Sequence, residues 1–122
     1  MSAELLEALA ARCEHEDPDI ILDCSIFDAV GNVPWGRYTQ SLDAAEQLVP
    51  KGYCWSLDTD PDVTPDGPEA GVGIPLSRQP LYRQTDWEFC HARTAPLALC
   101  AAALRARAAF VKQREPSPSQ TS

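Results

Sequence analysis

The sequence predicts an α+β domain: a three-layer α/β/α sandwich around a small antiparallel sheet of three or four strands. Three observations point to it. Four segments join a capping residue to apolar positions at helical spacing. Three short segments read as strands by composition and alternation. Finally, Trp55 and Leu57 give one strand face that needs a helical cover, and Cys54, Cys90 and their neighbours suggest cover on the other face too. A chain of 122 residues fits one domain of ordinary size and needs no disulfide or metal to fold. Residues 1–114 are expected to form it, with 115–122 as a disordered Pro/Ser tail.

The elements follow in order. Ser2 can cap a first helix to about Cys13, with Leu5, Leu6 and Leu9 on one face. Residues 19–30 fit either a strand or a helix by periodicity alone. Asp17 as cap, Pro18 at the first position and Gly31 past the end favour a helix. Ser41 caps a short helix with Leu42, Ala45, Leu48 and Val49 inward, and Pro50 and Gly52 stop it. Tyr53 to Leu57 is a strand, Asp58 to Glu69 a proline-rich acidic loop, and Ala70 to Ile74 a second strand. Pro75 to Gln84 is expected on the surface, and Asp86 to His91 forms a third strand with Trp87, Phe89 and His91 on one side. Thr94 then caps a long Ala/Leu-rich helix with Pro96 in its first turn. Arg105, Arg107, Lys112 and Arg114 crowd the end of that helix, where its dipole favours positive charge.

The net charge is −8. Residues 1–62 hold 13 acidic and 3 basic residues, while residues 63–122 hold 5 acidic and 7 basic. This balance argues against direct nucleic-acid binding, which needs a basic stripe. It also directs an anionic ligand toward the C-terminal half. The five cysteines are odd in number, form no C-x-x-C pair and sit among apolar neighbours, as buried reduced thiols do in a cytosolic protein. The start of the chain is amphipathic and acidic rather than signal-like, and no apolar run is long enough to span a bilayer.

Candidate chemistry is sparse. Asp58, Asp60, Asp62, Asp66 and Glu69 match calcium-loop positions, but Val63 stands where glycine is needed and Pro61, Pro65 and Pro68 stiffen the loop. A solvated hairpin loop is the better reading. Cys13, His15, Cys24, Cys90 and His91 lack the spacing of a zinc site. No metal or cofactor is expected. Gly71 and Gly73 come without a phosphate-loop lysine, no nucleophile has a base beside it, and two histidines offer little acid–base chemistry. The expectation is a protein that is not an enzyme.

The candidate ligand site is the junction of Arg93 and Thr94. Helix N-terminal N–H groups beside an arginine suit an anion. Arg78 and Arg83 can approach from the preceding loop, and Trp87 or His91 can stack on a base. Arg105, with the basic helix end, offers a second place for phosphate or an acidic partner.

Two longer segments, Gly36 to Leu57 and Thr94 to Leu104, together with Asp17-Pro18-Asp19, resemble the phage ABA-sandwich domain family across roughly residues 17–108. The resemblance implies a sheet between helical layers and a phage protein acting in the host cytoplasm. It also supports a helix at 17–30, and it brings no catalytic motif. The leading expectation is a non-catalytic protein that captures a small anionic ligand such as a nucleotide-derived defence signal. A homo-oligomer would form its pockets between subunits. The alternative is an acidic inhibitor that occupies a basic host protein by mimicking nucleic acid. A minor phage component without a ligand is the third reading.

Overall fold

A computed structural model describes residues 3–31, 33–73 and 87–114. The expected Ser2 cap, the surface segment Pro75 to Gln84 and the tail at 115–122 lie outside the described residues. Seven elements follow in the chain: α1 (Ala3–His15), α2 (Ile20–Val30), α3 (Leu42–Glu46), β1 (Cys54–Asp58), β2 (Glu69–Gly73), β3 (Trp87–His91) and α4 (Ala95–Arg114). The class is α+β, and the sheet has three antiparallel strands in the order β1-β2-β3.

Helix α1 buries Leu6, Leu9, Ala10 and Cys13, the stripe that i, i+3, i+4 and i+7 spacing dictates. Leu5 falls beside that stripe and is exposed, unlike the expected Leu5, Leu6, Leu9 face. Helix α2 starts later than Asp17-Pro18 suggested. Its cap is Asp19, whose carboxylate accepts the Ile21 N–H at 2.9 Å. The Asp19 N–H in turn donates to Thr39 Oγ1 at 3.1 Å, which holds the cap in place. Gly31 ends the helix at φ 84°, with its N–H on Phe27 O.

A buried carboxylate fastens α2 to the loop that follows. Asp23 is fully buried and accepts the Thr39 N–H and the Thr39 hydroxyl at 2.7 Å each, and the Gln40 amide at 3.0 Å. Burial of a charge costs several kcal/mol unless hydrogen bonds offset it, and three donors do so here. Ser41 caps α3 as expected, accepting Ala44 N–H at 3.4 Å, and Ala45 and Leu48 enter the core.

In the sheet, Trp55 pairs with Val72, Leu57 with Ala70, and Ala70 with Cys90. Alternation therefore puts these five residues on one face. Ala70, Val72 and Cys90 are buried there, with Trp55 and Leu57 packed at the edge of the core. The opposite face carries Cys54, Ser56, Gly71 and Phe89. Cys54 and Cys90 therefore point to opposite sides, which corrects the reading that both mark a second covered face. Cys54 is exposed, as is Cys24 in α2, so only Cys13, Cys90 and Cys100 are the buried thiols expected of all five.

Helix α4 packs on all three strands, and α1 and α3 pack on α4 in turn. Among the described residues, α4 is thus the element that touches both the sheet and the helices α1 and α3. Every residue from Leu97 to Leu104 is fully buried. The alanines of that run allow neighbours to approach from both sides, because side-chain size at the contact sets interaxial distance.

Candidate functional site

The end of β3 and the turn into α4 bring together two of the expected ligand-site residues, His91 and Arg93. An open groove of about 320 Å³ lies there. It is lined by Phe89 to Arg93, at the end of β3 and the turn after it. Glu14 and His15 at the end of α1 and Asp66 from the β1–β2 loop also line it.

The acidic loop is fastened beside this groove. Asp58 and Asp60 turn back on their own chain, accepting the N–H groups of Asp60 at 3.0 Å and Asp62 at 2.9 Å. Thr64 is buried and donates its hydroxyl to Asp60 O. Gly67 sits at φ 114°, and a Cβ there would lie 2.5 Å from Ala92 O, so only glycine permits this approach to the β3–α4 turn. The Ala92 N–H donates to Pro68 O at 3.1 Å, completing the seam. The carboxylates thus follow turn geometry and do not converge. Among the described residues no group of three His, Cys, Asp or Glu side chains is arranged to hold a metal ion.

The expected site residues meet different fates. Arg93 and His91 both line the groove. Arg93 is already engaged, however: its guanidinium lies 2.8 Å from Asp17. His91 Nε2 lies 3.1 Å from Glu69, an ion pair only when the imidazole is protonated. Thr94 caps α4, accepting Leu97 N–H at 3.3 Å. Pro96 has no N–H, so the first turn of α4 keeps few donors for an anion. Arg105 does not line the groove and bonds the Glu14 carboxylate, which holds the guanidinium protonated beyond its ordinary range. Trp87 opens β3, at the far end of the strand from His91. Arg78 and Arg83 lie outside the described residues.

Lys112 and Arg107 near the basic helix end are likewise committed elsewhere. Lys112 pairs with Glu7. Arg107 is turned inward, donating Nε–H to Leu48 O at 2.6 Å, and burial lowers its pKa. Glu7 and Glu14 on α1 face Lys112 and Arg105 on α4, seven residues apart on each helix and in opposite order. That is the ladder of an antiparallel helix pair, and it joins the acidic half of the chain to the cationic half. Arg12 of α1 also pairs with Glu16, just past the helix end, at 2.9 Å.

Sequence reasoning missed the groove's acidic lining, Glu14 and Asp66, and Arg93's partner Asp17. One signal was present for the ladder: matching seven-residue spacings of acids and bases on two helices. No known protein family matches the chain, and no curated protein and no solved structure matches it. None of the helices among the described residues is long and apolar enough to cross a membrane.

Proposed function

We propose that this chain is a small non-catalytic binding protein whose acidic end occupies a basic surface of another protein. One observation carries the reading. Arg12, Arg93, Arg105 and Lys112 are each taken up by a carboxylate of the N-terminal half, while Asp60, Asp62 and Asp66 face solvent on a loop fastened beside the groove. Internal pairing leaves the unpaired charge negative, and such a field speeds encounter with a positive patch and penalises like-charged partners. The likeness to phage ABA-sandwich domains adds a setting: the host cytoplasm, with a host nucleic-acid-binding protein as the basic partner.

Capture of a nucleotide-derived signal is the second reading. It retains one support, the placement of Arg93, His91 and the Phe89 side chain along a single groove. A homo-oligomer belongs to that reading, since an open groove would need a second subunit to enclose a ligand.

Anisotropy titration with a fluorescent Arg/Lys-rich peptide tests the proposal. Binding that weakens steeply with salt, and by at least about tenfold in the Asp60→Asn, Asp62→Asn, Asp66→Asn variant, is the expected result. Thermal stabilisation by cyclic or linear nucleotides, without any binding of the peptide, would overturn it in favour of the second reading.

A further inference from the structure

Helix α2 carries an apolar face that no other element among the described residues covers. Ile20 is 44% and Ile21 65% exposed, and Cys24 is exposed beside them. Ile20, Cys24 and Phe27 follow i, i+4, i+7 spacing, so they form one stripe along the helix. Trp35, itself 51% exposed, extends the stripe through an edge-on contact with Phe27, with ring centroids 5.6 Å apart. Scattered exposed leucines need no explanation, but a contiguous stripe of isoleucine and aromatic side chains marks an interaction surface.

Charge says what fits there. Asp17 and Asp19 stand exposed just before the stripe and Asp28 at its far end. Through the Asp17–Arg93 pair the stripe also adjoins the acidic groove. A second copy would bring the same acids against these, each copy carrying −8 overall. An anionic membrane surface would be repelled in the same way. An amphipathic helix with basic flanks has neither problem. Its apolar stripe meets Ile20, Ile21, Cys24 and Trp35, and its lysines or arginines meet the acids at both ends.

We propose that the outer face of α2 docks an amphipathic helix of a partner protein, with lysine or arginine flanking its apolar stripe. This rests on the acidic-binding reading for its charge and adds an apolar anchor that charge alone does not supply.

Cys24 lies in the stripe and Cys54 lies outside it, on the outer face of the sheet, and both are exposed in the native chain. N-ethylmaleimide labelling, resolved by peptide mass spectrometry, therefore reads the surface directly. The probe is a Leu/Lys amphipathic peptide about five turns long, and its control is a scrambled peptide of identical composition. The amphipathic peptide is expected to slow labelling at Cys24 by at least about tenfold and leave Cys54 unchanged, with protection fading as salt rises. Ile21→Ser should raise the peptide's Kd by at least about tenfold with an unchanged Tm. Equal protection by the scrambled peptide would overturn the α2 assignment while the acidic reading survives. Protection that ignores salt would overturn the acidic reading and its basic flanks. Protection that grows with protein concentration alone would make the occupant a second copy, and protection by phosphatidylcholine vesicles would make it a membrane. Either result would overturn the proposal.

Discussion

Helices α2 and α4 are both rich in apolar residues, yet α2 keeps one face open to solvent while the first half of α4 is sealed. α4 is buried at every position from Leu97 to Leu104, in contact with the sheet and with α1 and α3. α2 packs on α1, and its outer face keeps Ile20 and Ile21 exposed. Hydrophobicity does not separate them; side-chain size and polar attachment do. Small alanines let α4 accept neighbours from two directions. α2 is secured instead by a polar latch, in which Asp23 gathers three donors from Thr39 and Gln40. A helix held by a buried carboxylate can leave Ile20 and Ile21 outside while Ile26 stays in the core, which frees those two for other contacts.

Replacing one large side chain on each helix would break this contrast most severely. Leu99→Ala is expected to cost about 2–5 kcal/mol, because the site is fully buried and its neighbours collapse only partly. Ile21→Ala should stay within about 0.5 kcal/mol. Urea titrations of both variants check the pair, and equal losses would show that α2 is buried after all.

The latch comes next in size. Asp23→Ala is expected to cost about 2–3 kcal/mol, since it leaves the Thr39 N–H without its acceptor. Hydrogen exchange should quicken first in α2 and at residues 38–40, ahead of α4. Uniform acceleration across both helices would instead show one cooperative unit.

The smallest effect is a pH dependence that belongs to the sealed side. Burial raises the Cys100 thiol well above its ordinary value of 9.0, with further upward contributions from neighbouring Cys13 and Asp23. Burial also raises Tyr38 above 10.0. In both cases the folded state keeps a proton that the unfolded chain releases. The stability this protects is complete below pH 9.0 and falls as pH rises through the folded values. Tm should therefore be flat through neutral pH and decline in alkali. Cys100→Ala should flatten the first part of that decline and leave the later, tyrosine-linked part.

Much of the architecture was legible in local chemistry. Ser41 and Thr94 cap the helices they were expected to cap, and the three strands appear within a residue or so of their sequence limits. What escaped was decided by partners far along the chain. Asp17 and Asp19 are equally good caps by type. Thr39 chose Asp19, and Arg93 drew Asp17 away. The Arg93–Thr94 junction read as an anion site because arginine was seen without its carboxylate, which lies 76 positions earlier.

The ladder between α1 and α4 has a consequence for synthesis. It joins the first and last of the described elements, so α1 leaves the ribosome long before the helix that will cover it. Until α4 follows, Leu6, Leu9 and Cys13 have no permanent shelter, and Glu7 and Glu14 await their cations. Closure depends on contacts nearly the whole domain apart, the arrangement that slows folding most. During that interval the acids of α1 keep a temporarily apolar helix soluble, a service to the nascent chain that ends when the ion pairs form.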